Sequence, residues 1–126
     1  MNNNGVGQQK QYTAALYMRL SRDDGIGESA SIGTQREMLR SYAQKHGFII
    51  FDEYVDDGCS GTNFDRPAWK RMIADIEQHK INLVLTKDLS RLGRDYITAG
   101  QYTELYFPAH GVRCIAVNDG YDSAGP

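Results

Sequence analysis

The sequence predicts an α/β domain of three layers, in which helices flank a mostly parallel sheet of four to five strands. Four short runs of β-branched and other apolar residues recur at intervals of roughly 30 residues, which is the repeat of a βαβ unit. Segments with helical periodicity fill the intervals between these runs. A chain of 126 residues, 40% of them hydrophobic, suffices for one domain with one core.

Each predicted element has its own local signal. The predicted strands are Tyr12 to Met18, Phe48 to Val55, Ile81 to Thr86 and Val112 to Val117, and the predicted helices begin near Thr34, Pro67 and Asp95. Proline suits a first helical turn because its missing N–H has no helical partner there, and Ser31 or Thr34 offers a side-chain cap for the first helix. We interpret His46, His79 and His110 as helix ends rather than metal ligands, because a cation suits a helix C-terminus.

Composition limits the class of protein. The chain has 14 basic and 16 acidic residues and a net charge of −2, so the domain as a whole has no field that attracts DNA or an anionic membrane. Any phosphate chemistry must therefore be local. Two cysteines and the lack of a signal peptide or a long apolar run predict a cytoplasmic protein away from membranes. Residues 1 to 11 lack periodicity and are predicted to be a disordered leader before a domain over 12 to 126.

The first strand ends in residues suited to phosphate chemistry. Side chains two apart on a strand share a face, so Tyr17, Arg19 and Ser21 are expected to point the same way. A hydroxyl beside a fixed cation is a plausible nucleophile for a phosphate. The alternative is that Ser21 merely ends the strand while Arg19 pairs with Asp23 or Asp24.

Two further loops supply arginines at the same predicted edge of the sheet. The loop with Gly58 and Gly61 leads to Arg66 at a helix start, and Arg91 and Arg94 follow the third strand three residues apart. Arginine stays charged and directs two donors at phosphate oxygens. The alternatives are a surface turn with Asp56 and Asp57 in solvent, and an exposed charged turn around Arg91.

These motifs, taken together, resemble the serine recombinases, the resolvase and invertase superfamily. The resemblance is carried by Tyr-x-Arg-x-Ser at Tyr17, Arg19 and Ser21, by Gln35, by Ser60-Gly61 with Arg66-Pro67, and by Arg91-Leu92-Gly93-Arg94. Order and spacing match over Tyr12 to about Asp122. The residue sequences of the second and third loops look most like those of the large serine recombinases of transposons, conjugative elements and phages.

The resemblance implies a resolvase-like catalytic domain that breaks DNA. The Ser21 hydroxyl would attack a backbone phosphate, giving a 5′-phosphoserine link and a free 3′ hydroxyl, with resealing that needs no ATP. Four arginines would bind the scissile phosphate without a metal or other cofactor: Arg19, Arg66, Arg91 and Arg94. The supporting active-site residues would be Tyr17, Gln35, Asp57 and Ser90.

The resemblance also implies partners. They are double-stranded DNA at specific attachment sites and, in the intact protein, further copies in a homodimer or tetramer. The helix that builds this assembly and the DNA-binding domains would follow the present chain, so we expect the chain alone to bind duplex DNA poorly.

One position departs from the family pattern. Many resolvases have aspartate immediately before the first arginine of the last motif, where this chain has Ser90. A serine can only relay a proton that an aspartate could hold. We expect Asp57 or solvent to accept the proton from Ser21.

Other classes of protein remain open from the residues alone. A non-catalytic module would use the arginines only to grip phosphate, and a metal-dependent nuclease would need a divalent cation. A phosphoacceptor receiver domain is imitated by Asp56, Asp57 and Lys87, but its magnesium site requires acids where the first strand has Arg19. Within the recombinase interpretation, Ser60 and Ser90 are rival nucleophiles.

Overall fold

A five-stranded sheet organises the computed structural model, which describes residues 11–20, 31–57, 66–92 and 100–124. The strands are β1 (Thr13–Leu20), β2 (Ile49–Asp57), β3 (Leu83–Thr86), β4 (Arg113–Ala116) and β5 (Tyr121–Asp122). Their order in the sheet is β2-β1-β3-β4-β5. The first four strands run parallel, and β5 joins β4 antiparallel. The predicted α/β class with a mostly parallel sheet is confirmed.

Helices cover both faces of this sheet. They are α1 (Ile32–Lys45), α2 (Pro67–Glu77) and a π-helical stretch, Gln101–Tyr106, that runs directly into α3 (Phe107–Ala109). Alternate side chains of the central strand β1 point to opposite faces. Leu16 therefore packs in one core cluster with Leu39 of α1, and Tyr17 packs in the other with Trp69 of α2. The sheet, with one cluster and its helices on each face, gives the three layers.

The C-terminal ends of α1 and α3 follow the predicted caps at His46 and His110, whereas α2 ends at Glu77 with Gln78 as its C-cap, one residue before His79. Ser31 is the N-cap of α1, where its hydroxyl accepts a hydrogen bond of 3.0 Å from the backbone N–H of Thr34. His46 ends α1 and is followed by Gly47, whose φ of 73° lies in the left-handed region. After α2, where no glycine is available, His79 itself adopts a φ of 63°.

Some predictions fall on other parts of the chain. The helix start near Asp95 and residues 1–10 of the predicted leader lie outside the described residues. None of the helices in the described part of the chain has the length and apolar character that a membrane crossing needs.

The parallel strands end at different points along the carboxyl edge of the sheet. β3 pairs with β1 only as far as Tyr17, whereas β2 accompanies β1 up to Leu20. The last residues of β1 therefore extend past the end of β3. They lie beside the 3₁₀ turn Leu89–Arg91, whose Ser90 and Arg91 carbonyls accept hydrogen bonds from the Arg19 side chain.

The cap at Ser31 gives a first testable prediction. Replacing the hydroxyl in Ser31→Ala leaves the Thr34 N–H without its capping acceptor, and we expect the free energy of unfolding to fall by about 1 kcal/mol in urea titrations. The matched control is Ser41→Ala, at an exposed interior position of α1, which we expect to be neutral or slightly stabilising. Equal effects of the two substitutions would contradict the assignment of the cap.

Candidate active site

The 3₁₀ turn after β3 is fixed by contacts from a second 3₁₀ turn, Val117–Asp119, which follows β4. The backbone N–H of Leu89 donates to Asp119 Oδ2 at 2.8 Å, and the N–H of Asn118 donates to the carbonyl of Lys87 at 2.8 Å. The turn therefore has a defined position at the carboxyl edge of the sheet. Its carbonyl groups become acceptors for arginines from other elements.

The side chains of Arg19 and Arg91 donate hydrogen bonds to each other's backbone carbonyls. Arg19 Nη2 donates to the carbonyl of Ser90 at 2.7 Å, and Arg19 Nε donates to the carbonyl of Arg91 at 3.3 Å. In return, Arg91 Nη1 donates to the carbonyl of Arg19 at 3.0 Å. Both side chains are buried. This exchange ties the end of β1 to the turn, so two of the predicted arginines lie side by side.

Gln35 of α1 completes the hydrogen bonding of Arg19. Its Nε2 donates to the Arg19 carbonyl at 3.1 Å, and its Oε1 accepts from the Arg19 N–H at 3.3 Å. The side-chain amide thus serves both backbone groups at a position where β3 has already ended. Gln35 is fully buried, as this role requires.

Arg66, immediately before α2, connects the turn to the core. Its Nη1 donates to the Arg91 carbonyl at 3.0 Å and to the Tyr17 hydroxyl at 3.2 Å, and its Nη2 donates to the Leu92 carbonyl at 2.9 Å. The guanidinium carbon lies 4.9 Å from the centroid of the Trp69 ring. With a relative exposure of 0%, this cation is completely enclosed.

Asp56 is the carboxylate of this cluster. It accepts a hydrogen bond of 2.8 Å from the Tyr17 hydroxyl and bonds of 3.0 Å from the backbone N–H groups of Ala68 and Trp69 in the first turn of α2. A carboxylate is favoured there because the first N–H groups of a helix have no helical acceptor. Burial, and then Asp56, raise the pKa of Tyr17 well above its ordinary value despite the opposing charge of Arg66, so the hydroxyl stays a donor.

The cluster concentrates positive charge. Within the described residues, every buried charged side chain belongs to this edge, namely Arg19, Arg66, Lys87, Arg91 and Asp56. Asp88, at 20% side-chain exposure, adds a second carboxylate 3.5 Å from Arg91 Nε. Among the residues that the structure describes at this edge, four cations stand with two acids, whereas the chain as a whole has a net charge of −2. Such a site suits a phosphodiester, which carries one negative charge.

The sequence-predicted residues divide into three groups. The structure brings together Tyr17, Arg19, Gln35, Arg66, Ser90 and Arg91. The predicted nucleophile Ser21, its rival Ser60 and the fourth arginine, Arg94, lie outside the described residues. Asp57 is exposed at the end of β2 and stays a prediction.

The alternative that placed Asp56 in solvent is wrong, because this side chain is 3% exposed and bonded as described above. Tyr54 and Asp56 are buried, whereas Asp57 faces away from them, as the two-residue period of a strand requires. This alternation along β2 is the sequence signal that could have predicted the burial of Asp56.

Comparison with known proteins assigns the family. The model of the family described as "Resolvase, N terminal domain" matches residues 14–126. The chain belongs to this family. The resemblance to serine recombinases is thereby confirmed, and the domain is a site-specific recombinase catalytic domain.

Solved structures and a curated relative agree with this assignment. The N-terminal catalytic domain of TP901-1 integrase is 31% identical, with a TM-score of 0.80 over 90% of this chain and 82% of that one. A resolvase family site-specific recombinase from Streptococcus pneumoniae is 30% identical, with a TM-score of 0.77 over 92% of this chain and 78% of that one. A putative DNA recombinase of Bacillus subtilis (strain 168) is 31% identical over 80 residues, which are 64% of this chain but only 15% of that protein.

The burial of Asp56 gives a second prediction. Asp56→Asn keeps the size of the side chain but removes the charge that three donors share, and we expect the free energy of unfolding at pH 7 to fall by about 2 kcal/mol. The neighbouring control Asp57→Asn should change it by less than about 0.5 kcal/mol, because exposed positions tolerate substitution. Urea unfolding of both variants measures the difference. A larger effect at Asp57 would contradict the assignment of the buried acid.

Proposed function

We propose that this domain cleaves duplex DNA by attack of the Ser21 hydroxyl on a backbone phosphate. The supporting observation is that the buried charged side chains described at the carboxyl edge of β1 and β3 are four cations and one carboxylate. Arg19, which belongs to that cluster, precedes Ser21 by two residues. Covalent geometry limits two residues to a span of about 7 Å, which supports Ser21 as the nucleophile.

The reaction exchanges one phosphodiester for another. The bond from Ser21 Oγ to phosphorus forms, the bond from phosphorus to O3′ breaks, the serine loses its proton, and O3′ gains one. The product is a 5′-phosphoserine link and a free 3′ hydroxyl, and the reverse attack of a 3′ hydroxyl reseals DNA without ATP. Negative charge on the phosphate oxygens is stabilised by the arginines in a low-dielectric site, where such stabilisation is strong.

The arginines contribute to this step in two ways. Arg19 and Arg91, which are 3% and 5% exposed where Arg66 is 0% exposed, would bind the phosphate together with Arg94. Their donors bond to neutral backbone carbonyls, and an anionic phosphate oxygen is a stronger acceptor that competes for them. Arg66, fully enclosed, acts from behind as a fixed charge and holds the turn in place. With arginines in this role, cleavage requires no metal or other cofactor.

The domain is proposed to work within a longer recombinase. Specific attachment sites would be recognised by other parts of that protein, which also assemble the homodimer or tetramer. The net charge of −2 supports this division, because a DNA-binding surface releases counterions through many basic side chains. The chain covers only 15% of the Bacillus subtilis relative, which supports the same division of roles.

Covalent trapping tests the proposal. The full-length recombinase is incubated, with chelator present, on a cognate site that is nicked so that the cleaved strand is lost and resealing fails. Peptide mass spectrometry should place a 5′-phosphate adduct on Ser21. Ser21→Ala should abolish the adduct, whereas Ser41→Ala, which removes an exposed hydroxyl from α1, should retain it.

Other outcomes have defined meanings. An adduct on Ser60 or Ser90 would keep the reaction and overturn the nucleophile. A bound cognate site without any adduct would support a non-catalytic phosphate-binding module. Adduct formation that chelator abolishes would contradict the metal-free mechanism.

A further inference from the structure

Lys87 directly follows β3 and is a buried cation that the proposed reaction leaves without a role. We infer, on the basis of the proposed function, that Lys87 and Arg91 together bind the scissile phosphate of DNA. In the absence of DNA, the carboxylate of Asp88 fills the same site. Asp88 and the phosphate therefore compete for one position, which makes Asp88 a built-in competitor of the substrate.

The ammonium group of Lys87 is enclosed and weakly paired. Lys87 has a relative exposure of 8%. Within the part of the chain that the structure describes, its Nζ forms one ion pair, with Asp88 Oδ2 at 3.7 Å, which is too long for a hydrogen bond. An ammonium has three donors, and burying them is costly unless hydrogen bonds replace the lost water. Lys87 therefore has the capacity to bind an anion.

Asp88 lies among groups that suit a phosphate. Besides Lys87, Arg91 Nε lies 3.5 Å from Asp88 Oδ1, and Ser90 Oγ donates a hydrogen bond of 2.5 Å to the same oxygen. A carboxylate has two oxygens that share one negative charge. A phosphodiester also has two non-bridging oxygens that share one negative charge, so it fits the same cations and donor. The surroundings of Asp88 are thus those of an anion site that the chain's own carboxylate occupies.

Asp88 is placed to leave this site. Its side chain is 20% exposed, and the Ser90 residue that donates to it is exposed as well. Asp56, in contrast, is 3% exposed and accepts two backbone N–H groups of α2. When Asp88 turns into solvent and a phosphate enters, one anion replaces another between the same two cations. The exchange therefore buries no additional charge.

The anion site adjoins the other phosphate-binding group that the structure describes. Arg91 Nη1 donates to the Arg19 carbonyl at 3.0 Å, and Arg19 Nη2 donates to the Ser90 carbonyl at 2.7 Å. The carbonyl of Lys87 accepts a bond of 2.8 Å from the backbone N–H of Asn118, which fixes the backbone of the lysine. Lys87 thus adds a further cation to the edge that holds Arg19 and Arg91.

Loss of the Lys87 charge should impair cleavage without weakening the fold. Lys87→Met keeps the length of the side chain but removes the ammonium, so single-turnover cleavage of the cognate site by the full-length recombinase should slow by at least about ten-fold. The urea midpoint of unfolding should stay the same or rise, because a weakly compensated buried cation is removed. The control is Lys80→Met, which removes an exposed charge before β3 and should leave the rate within about two-fold.

Loss of the Asp88 carboxylate should act in the opposite direction. In Asp88→Ala no internal anion competes, so cleavage by recombinase below saturation should be at least about three-fold faster. The urea midpoint should fall, because two cations lose their carboxylate. The control is Asp52→Ala, which removes an exposed carboxylate from β2 and should leave the rate within about two-fold. Slower cleavage together with a lower midpoint would make Asp88 purely structural and overturn the competition.

A neutral scissile phosphate separates phosphate binding from a structural role of Lys87. A methylphosphonate lacks the charge that Lys87 is inferred to bind, so wild type and Lys87→Met should cleave this site at rates within about three-fold of each other. An equal defect of Lys87→Met on the ordinary and the neutral site would overturn the inference.

The two proposals fail in different ways. An unchanged rate of Lys87→Met on ordinary DNA, with the wild-type adduct on Ser21, would overturn the Lys87 site and leave the proposed function intact. Absence of any adduct in the wild-type protein on a bound cognate site would overturn the proposed function itself.

Discussion

The rest of this edge of the sheet depends on the burial of the Arg66 guanidinium. A buried cation costs several kcal/mol unless hydrogen bonds and charges compensate for it. Here the compensation comes from the carbonyls of Arg91 and Leu92, from the Tyr17 hydroxyl and, through that hydroxyl, from Asp56. The requirement to satisfy one cation therefore fixes the turn after β3, the start of α2 and the end of β1 relative to one another.

The nature of these acceptors matters for function. Among the contacts described above, Arg19, Arg66 and Arg91 donate to neutral carbonyls, and Arg91 Nε also lies 3.5 Å from Asp88 Oδ1. A carbonyl acceptor holds a guanidinium in place without carrying a full negative charge. These contacts fix three buried cations at the point where parallel strands end. In such a preorganised site, a phosphate gains stabilisation without a large rearrangement of the protein.

Much of this architecture was predictable from local patterns. The spacing of apolar runs gave the parallel sheet, and parallel strands necessarily bring Arg19 and Arg91 to one edge. The burial of Asp56 follows from the two-residue period that it shares with Tyr54, beyond the register shift opposite Ala14 and Ala15. Local patterns do not predict which carbonyls accept hydrogen bonds from the arginines. These bonds join residues far apart in the sequence, such as Arg19 and Arg91. The two-residue strand β5 is too short to leave a periodic signal.

The most direct test of the arginine cluster changes the charge of the DNA. A methylphosphonate at the scissile position removes the negative charge that the arginines are proposed to stabilise. We predict that Arg91→Ala cleaves an ordinary site at least about 100-fold more slowly than wild type and that the neutral site restores most of this loss. An equal defect of Arg91→Ala on both sites would contradict the claim that this edge of the sheet stabilises a phosphate anion.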